Sequence, residues 1–354
     1  MDLMTDERIK AAERTLMFQE AAEAGAAVAR MLTANRAAIT TLVQRLRATP
    51  PAVVVTCARG SSDHAATYGK YLIETSCGIP VASAAPSVAS VYAAPPRVAG
   101  PHATLCIAIS QSGRSPDLLA TVAAQQAAGA HVVALVNDTG SPLAEAADTL
   151  IALEAGPEKS VAATKSYIAA LAALAALTAA WAEDAALRTA VDELPEQLAR
   201  AWALDWSSMG AMLAEARNLF VIGRGLGLGI AQEAALKLKE TCALHAEAFS
   251  AAEVRHGPMA IVDVGFPVIA LAGSDAAGDD VRDAAATFAG RGAHVSLADA
   301  SRDGAGDPPA LRAHPAIEPI LMIQSFYRMA NMLSVTRGLD PDAPRHLSKV
   351  TRTR

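Results

Sequence analysis

Three short apolar runs alternate with helical segments in the first half of the chain. The runs are AVVVTC (52–57), LCIAI (105–109) and HVVALV (131–136), and each leads through Gly, Ser or Asn into a segment with helical spacing. β-branched runs that alternate with helices are typical of a parallel sheet covered by helices on both faces. The pattern therefore predicts an α/β fold.

The second half of the chain repeats this pattern at an offset of about 164 residues. The runs LFVIG (219–223), PVIALA (267–272) and HVSLA (294–298) follow in the same order. Three local matches support the register: Ala58-Arg59-Gly60 with Gly223-Arg224-Gly225, Glu74-Thr75 with Glu240-Thr241, and Ala130-His131-Val132 with Ala293-His294-Val295. We therefore predict two copies of one α/β unit.

Helical segments and a polar tail flank the two predicted sheets. Residues 5–48 have apolar positions at helical spacing and stop at a Pro-Pro pair, and a closing helix is predicted at 317–333. Between residues 183 and 212 the charge rises and Pro195 interrupts the helical pattern, so the unit boundary is expected there. The predicted order is a helical segment (1–48), a first sheet domain (49–190), a second sheet domain (191–335) and a tail (336–354).

Charge and composition exclude several classes of function. The net charge is −6 and no stretch is rich in Lys and Arg, which argues against binding to nucleic acid or to an anionic membrane. Any anionic ligand must then be held by local groups. The N-terminus lacks the basic and apolar regions of a signal peptide, and the most apolar run, at 168–182, is too short to span a bilayer. The four cysteines have no CxxC spacing, so we expect free thiols in a soluble, cytoplasmic protein.

Two loops that follow predicted strands have the residues of a phosphate site. The segment Ser110-Gln111-Ser112-Gly113-Arg114-Ser115 lies between a buried strand and a helix, and Arg59-Gly60-Ser61-Ser62 follows the first predicted strand. Small hydroxyl residues and glycine let the backbone approach an anion, and a helix N-terminus adds a favourable dipole. Ligands of α/β sheets bind beyond the carboxyl ends of the strands. A capped serine-rich turn would explain the same residues without a ligand.

The glycine-rich segment 223–229 has only a superficial likeness to a dinucleotide-binding loop. Its spacing is G-x-G-x-G-x-G, and the nearby acidic residues, Glu233 and Glu240, lie on a predicted helix instead of a strand. Close packing of a helix is therefore the favoured use of these glycines.

The densest group of chemically active side chains lies between residues 232 and 258. Glu233, Lys237 and Glu240 share one face of a predicted helix, and His245, Glu247, Glu253, Arg255 and His256 follow. A carboxylate beside a lysine and a histidine supplies a base, a cation and a second proton carrier. An exposed, ion-paired stripe is the alternative explanation. No metal site is predicted, because His245 and His256 are eleven residues apart and lack the spacing of paired ligands.

Taken together, these residues resemble the tandem sugar isomerase (SIS) domain family, in particular the isomerase half of glucosamine-6-phosphate synthase and the SIS-type glucosamine-6-phosphate deaminases. The matching motifs are Ser110-Gln111-Ser112-Gly113, Val161-Ala162-Ala163-Thr164-Lys165, Ala235-Leu236-Lys237-Leu238-Lys239-Glu240, His245-Ala246-Glu247-Ala248, His256-Gly257-Pro258 and Pro344-Arg345-His346-Leu347-Ser348-Lys349. The resemblance implies two tandem SIS domains, each a parallel sheet sandwiched by helices. It also implies a homodimer that binds a hexose 6-phosphate.

The resemblance further implies a role for each matching residue. Phosphate contacts are implied for Ser61, Ser62, Ser110, Gln111, Ser112 and Ser115, and sugar contacts for Val161 and Ala163. Glu240 is implied as the base that moves a proton between C1 and C2, with Lys237 beside it. His256 is implied to open the sugar ring from across the subunit interface, and Lys349 to lie over the C1 end.

Departures from the synthase pattern change the expected reaction. Ala58-Arg59-Gly60-Ser61-Ser62 stands where the synthase has Cys-Gly-Thr-Ser, and Ala163 stands where it has a sugar-contacting serine. The sequence also shows no N-terminal glutaminase domain with a nucleophilic cysteine, which moves the expectation from amide transfer to deamination. We expect glucosamine 6-phosphate and water to give fructose 6-phosphate and ammonia, without a metal or organic cofactor. A galactosamine-6-phosphate deaminase, a fructosamine-6-phosphate deglycase and a non-catalytic sugar-phosphate-binding regulator remain as alternatives.

Overall fold

A computed structural model describes residues 6–97 and 103–349, which divide into two compact units. The N-terminal sheet unit consists of the described residues of Ala26–Pro157 and Ser166–Asp192. The C-terminal sheet unit consists of the described residues of Met1–Gly25, Glu158–Lys165 and Glu193–Lys349. Each unit has its own parallel sheet, apolar core and flanking helices. The predicted α/β class is therefore confirmed.

The chain begins with three helices where the sequence predicts one continuous helical segment. These are α1 (Asp6–Glu13), α2 (Leu16–Ala22) and α3 (Ala24–Ala48). The hydroxyl of Thr15 accepts the N–H of Phe18 and caps α2, so the break before α2 has a local cause.

The N-terminal sheet has five parallel strands in the order β2-β1-β3-β4-β5. The strands are β1 (Val53–Cys57), β2 (Val81–Ser83), β3 (Thr104–Ser110), β4 (His131–Val136) and β5 (Thr149–Ala152). The helices between and after them are α4 (Ser61–Cys77), α5 (Pro86–Ser90), α6 (Pro116–Ala127), α7 (Pro142–Ala146) and α8 (Lys165–Trp181). The predicted runs at 52–57, 105–109 and 131–136 correspond to β1, β3 and β4. The short strands β2 and β5 were not predicted, because neither is a long β-branched run.

Two helices, α9 (Ala185–Trp202) and α10 (Ser207–Leu213), lead to the second sheet. The prediction that Pro195 interrupts the helical pattern is wrong, because α9 continues through it. A proline inside a helix removes one backbone hydrogen bond and crowds the preceding turn. Leu194 and Leu198, on either side of Pro195, are fully buried, and this apolar packing stabilises the helix across the proline.

The C-terminal sheet has four parallel strands in the order β7-β6-β8-β9. The strands are β6 (Asn218–Gly223), β7 (His245–Ser250), β8 (Pro267–Ala272) and β9 (His294–Asp299), and the helices are α11 (Leu226–Cys242), α12 (Ala276–Gly290) and α13 (Glu318–Thr336). The order repeats β2-β1-β3-β4 of the first sheet, which confirms the predicted repeat. The edge strand β7 was missed because its sequence, HAEAFS, has no continuous apolar run.

The glycines of segment 223–229 serve close packing, as predicted. A Cβ atom on Gly223 would lie 2.4 Å from the carbonyl oxygen of Gly227, closer than any real side chain approaches a backbone oxygen. The predicted free cysteines are also found, and burial raises the pKa of the Cys57 and Cys242 thiols to about 12. Thiols that stay protonated at neutral pH are poor nucleophiles. Among the described residues, no helix has the length and apolar character needed to cross a membrane.

Candidate active site

The charged face of α11 is buried. Lys237 is 1% exposed, and its Nζ lies 2.5 Å from Oε2 of Glu240 and 3.4 Å from Oε1 of Glu233. Glu233 is fully buried and also accepts a 2.9 Å hydrogen bond from the hydroxyl of Tyr327. The alternative of an exposed, ion-paired stripe is therefore wrong, since solvent reaches only Glu240, whose side chain is 22% exposed.

Two carboxylates keep the buried lysine of α11 protonated. Burial by itself lowers the pKa of the Lys237 amine, but the charges of Glu233 and Glu240 outweigh burial and raise the pKa above 10.5. Lys237 is therefore a fixed cation that holds the carboxylate of Glu240 in place. The carboxylate of Glu240 is the group of this trio that solvent reaches.

The segment 158–165 and the tail meet beside this trio, within the C-terminal sheet unit. The amine of Lys349 donates a 2.6 Å hydrogen bond to the carbonyl oxygen of Ser160 and lies 3.9 Å from Oε2 of Glu158. The other oxygen of Glu158 accepts the N–H of Thr164 at 2.9 Å. Burial lowers the pKa of the Lys349 amine, although Glu158 and other nearby carboxylates oppose that shift.

The two predicted sugar contacts lie on this same segment. Val161 and Ala163 are partly buried, and the N–H of Val161 donates to the carbonyl of Asp342 in the tail at 3.1 Å. Next to them, the hydroxyls of Ser160 and Thr164 are buried and have no hydrogen-bond partner among the described residues. Buried hydroxyls without a partner are uncommon in folded proteins, so they mark a place where a ligand or water can bind.

The tail follows a defined path to Lys349. The carboxylate of Asp342 accepts the backbone N–H groups of Leu16 and Met17, each at 2.7 Å. These donors lie at the start of α2, where a carboxylate is favoured by the exposed N–H groups of the helix. The tail residues before Lys349 are therefore tied to the N-terminal helices.

His256 is not joined to this group within the chain. It lies on an exposed 3₁₀ turn, Glu253–His256, and in the described part of the chain it makes no hydrogen bond or ion pair. The predicted contribution of His256 across a subunit interface concerns a second copy of the chain.

The predicted phosphate loops occupy the carboxyl edge of the N-terminal sheet. In the loop after β3, the hydroxyl of Ser110 accepts the N–H of Gly113 at 2.9 Å, and Ser115 is the N-cap residue of α6. Gly113 has φ +64°, and a Cβ there would lie 2.2 Å from Oγ of Ser141. In the loop after β1, Ser61 and Ser62 form the first turn of α4. Gln111, Ser112 and Ser115 are partly exposed, so their polar groups can reach a ligand.

An ion pair that was not predicted joins these two loops. Nε and Nη2 of Arg59 lie 2.9 and 2.6 Å from Oδ2 of Asp117, which is fully buried in the first turn of α6. The guanidinium neutralises a carboxylate that would otherwise repel an anion at this edge of the sheet. The sequence placed Arg59 in a predicted phosphate loop but did not indicate its pairing with Asp117.

Three further residues of the site were missed in the sequence. Glu158 and Tyr327 touch the charged groups described above, and Glu20 accepts backbone N–H groups from Lys159 and Ser160. Glu20 and Tyr327 lie far from the motifs along the chain, and no local pattern distinguishes them from ordinary helical residues.

Neither cavity volume nor metal ligands locate the site. A cavity of about 480 Å³ in the C-terminal sheet unit is lined by Phe18, Trp206 and Met329 with other side chains, and none of the predicted site residues lines it. Within residues 6–97 and 103–349, no group of three His, Cys, Asp or Glu side chains is arranged to hold a metal ion.

A domain family and several known proteins match the sequence of this chain. The SIS domain matches residues 52–180 and 212–303, more than half of the chain. The glutamine–fructose-6-phosphate aminotransferase (isomerizing) of Symbiobacterium thermophilum is 36% identical over 323 residues, which are 86% of this chain and 52% of that protein. The aminotransferase of the same name from Bacillus subtilis is 34% identical over 301 residues, covering 82% of this chain and 50% of that one. The chain thus spans about half the length of these curated relatives.

Solved structures show the same fold. A protein from Silicibacter pomeroyi, named as a candidate phosphosugar isomerase, is 44% identical with a TM-score of 0.86 and covers 93% of this chain and 100% of its own. The C-terminal domain of glucosamine-fructose-6-phosphate aminotransferase from Francisella tularensis has a TM-score of 0.81 at 24% identity, over 94% of this chain and 98% of its own. A glucosamine-6-phosphate deaminase from Thermotoga maritima has a TM-score of 0.75 at 22% identity, over 96% of this chain and 100% of its own. The chain therefore belongs to the SIS domain family.

Proposed function

We propose that this protein deaminates an amino-hexose 6-phosphate by aldose–ketose isomerase chemistry, with glucosamine 6-phosphate as the substrate. The observation that carries the proposal is the partly exposed carboxylate of Glu240, held 2.5 Å from a lysine that is itself buried and charged. Similar proteins are named as a glutamine–fructose-6-phosphate aminotransferase (isomerizing) and as a glucosamine-6-phosphate deaminase, and the hexose 6-phosphate in both names supports the assignment.

The phosphate group is assigned to the two loops of the N-terminal sheet unit. Its contacts are assigned to Ser61, Ser62, Ser110, Gln111, Ser112 and Ser115. Hydroxyl and amide donors beside helix N-termini bind a phosphate through charge-assisted hydrogen bonds. The chain supplies these contacts without an excess of basic residues, since its net charge is −6.

The sugar is assigned to the segment that carries Val161 and Ala163. The unpartnered hydroxyls of Ser160 and Thr164 supply hydrogen-bonding groups beside it. His256 of the partner subunit is assigned the first chemical step, which opens the ring by moving the proton of the C1 hydroxyl to the ring oxygen. This step requires the homodimer, which is part of the proposal.

Glu240 is assigned the proton transfer that follows. Its carboxylate removes the proton from C2 of the open-chain aldehyde, and the electron pair forms the C1–C2 double bond of an enolamine. The charge that develops on O1 is stabilised by the ammonium of Lys349, which passes a proton to O1. Glu240 then returns the proton to C1, which leaves a C2 iminium. Water adds to C2, one of its protons passes to the nitrogen and the other returns to the amine of Lys349. The C–N bond then breaks, and the products are fructose 6-phosphate and ammonia.

A substrate panel tests this proposal. Purified protein is incubated with glucosamine 6-phosphate, galactosamine 6-phosphate and fructosamine 6-phosphate, and ammonia and the ketose phosphate are measured together. We expect equal amounts of ammonia and fructose 6-phosphate from glucosamine 6-phosphate. Faster release from either of the other sugars would transfer the assignment to that deaminase or deglycase. Thermal stabilisation by these ligands without turnover would instead indicate a regulator and contradict the proposal.

A further inference from the structure

The carboxylate of Glu20, on α2, supports the backbone that holds Lys349. Its Oε1 accepts the N–H of Lys159 at 2.5 Å, and its Oε2 accepts the N–H of Ser160 at 3.2 Å. The carbonyl of Ser160 in turn accepts the amine of Lys349 at 2.6 Å. A continuous chain of hydrogen bonds therefore runs from Glu20 through one peptide segment to the tail lysine.

Glu20 is a buried carboxylate with lysines nearby. The side chain is buried, and burial raises its pKa although the two backbone N–H groups oppose that shift. Burying a carboxylate is costly unless it is paired and hydrogen-bonded, and both oxygens of Glu20 accept backbone N–H groups, which the NH2 group of an amide could not do. The nearby cations are the amines of Lys165 and, beyond the loop, Lys349.

Four charged groups face the amine of Lys349. Glu158, Glu20 and Glu240 favour its protonated form, and Lys237 disfavours it together with burial. Of these four, Glu240 and Lys237 are assigned to the proton transfer itself, and Glu158 also anchors Thr164. The hydrogen bonds of Glu20 connect to Lys349 through the backbone of Lys159 and Ser160.

We propose that Glu20 is a positioning residue for Lys349, which fixes the Ser160 carbonyl that receives the amine and supplies negative charge behind it. This inference rests on the proposed function for the role of Lys349 in turnover. The support of the amine by Glu20 is a property of the folded chain that can be measured without turnover.

Glu318 offers a matched control within the same unit. It is also a buried glutamate whose two oxygens accept backbone N–H groups, from Ser274 at 2.7 Å and from Ala313 at 3.1 Å. It is not among the charged groups that face Lys349. Glu318→Gln therefore removes an equivalent carboxylate and leaves the surroundings of Lys349 unchanged.

Competitive acetylation of Lys349 tests the proposal directly. The wild type, Glu20→Gln, Glu20→Asp and Glu318→Gln are treated with trace acetic anhydride over a range of pH, and the labelled tail peptide is quantified by mass spectrometry. The side chain of Lys349 is 24% exposed, so the reagent can reach it. We expect Glu20→Gln to lower the apparent pKa of the Lys349 amine by about 0.5 or more, because it removes a nearby negative charge. Glu20→Asp keeps the charge and is expected to stay closer to the wild type, as is Glu318→Gln.

Kinetics supply the second measurement. We expect Glu20→Gln to reduce kcat by about tenfold with little change in KM, because an amine displaced from the reacting end weakens the transition state more than substrate binding. An unchanged apparent pKa in Glu20→Gln, or an equal shift in Glu318→Gln, would overturn the inference. If the wild type releases no ammonia from any substrate, the proposed function fails while the acetylation result still decides the role of Glu20.

Discussion

The two sheets share one backbone plan at their carboxyl edges. Gly60 begins α4 with φ +56° and ψ −132°, and Gly225 begins α11 with φ +56° and ψ −126°. An arginine precedes each glycine and pairs with an aspartate on the helix after the neighbouring strand, Arg59 with Asp117 and Arg224 with Asp280. The turn and its ion pair are therefore common to both copies of the repeat.

The side chains that fill these edges differ. In the second sheet, Glu318 accepts the N–H of Ser274, and the side chain of Asp275 accepts the N–H of Gly278. In the described part of the first sheet, no carboxylate accepts a backbone N–H from residues 110–115, where a serine hydroxyl caps the loop instead. A repeated turn can therefore offer an anion site in one copy and be filled by the protein's own carboxylates in the other. Substitutions at matched positions of the two sheets test this difference.

Removal of the proposed base should have the largest effect. Glu240→Gln is expected to reduce ammonia release by about 10²- to 10⁴-fold, the usual contribution of a general base. The matched residue of the first sheet is Glu74, whose carboxylate accepts the N–H of Val81 at 2.9 Å and thus anchors β2. Glu74→Gln should lower stability slightly and leave kcat unchanged. Equal losses of turnover in both variants, measured by steady-state kinetics, would count against Glu240 as the base.

A methyl group added in the loop after β3 should destabilise the fold. Gly113→Ala places a side chain at φ +64° and against Oγ of Ser141, and we expect a loss of about 2–3 kcal/mol in the free energy of unfolding. At the corresponding edge of the second sheet, a Cβ on Gly273 would meet the carboxylates of Asp275 and Glu318 at 3.2 and 3.4 Å. Gly273→Ala should cost about 1 kcal/mol or less, because side-chain ends can shift. Urea denaturation measures both, and a larger loss for Gly273→Ala would contradict the comparison.

Removal of one serine hydroxyl should weaken binding of the sugar phosphate at the edge of the first sheet but not at the edge of the second. Ser112→Ala is expected to raise KM for the sugar phosphate about tenfold, because a hydrogen bond to a charged group contributes about 1.5 kcal/mol or more. Ser274→Ala, at the edge of the second sheet, should leave KM unchanged. The inhibition constant of inorganic phosphate should rise in parallel with KM for Ser112→Ala. A normal phosphate inhibition constant in that variant would remove Ser112 from the proposed phosphate site.

A rise in pH should have the smallest effect, which concerns the contribution of Lys237 to stability. The carboxylates of Glu233 and Glu240 raise the pKa of Lys237 above 10.5 in the folded protein. The stabilisation that accompanies a raised lysine pKa is present at all pH values below the unfolded value and is lost as pH rises through the folded one. The difference in unfolding free energy between the wild type and Lys237→Met should therefore stay constant from about pH 7 to pH 10. A decrease of more than about 0.5 kcal/mol over that range would show that the amine of Lys237 loses its proton below pH 10, which would contradict the prediction.

Local patterns predicted the elements that are long and apolar. The runs that became β1, β3, β4, β6, β8 and β9 are mostly apolar, so their own composition identifies them. The strands β2, β5 and β7 are short or alternate in polarity, and each lies at a sheet edge, where pairing with one neighbour decides the conformation. The prediction at Pro195 was wrong for a related reason, because the buried apolar contacts of α9 outweigh the tendency of proline to end a helix.

Spacing within short segments was enough to predict the two-copy α/β plan, the polar loops that follow β1 and β3, and the shared face of Glu233, Lys237 and Glu240. The folded chain was needed to show that this face is buried, that Lys349 reaches Ser160, and that Glu20 lies behind it. These contacts join residues more than a hundred positions apart in the chain. Burial and charge at such contacts are set by the packing of whole elements, so no local pattern contains them.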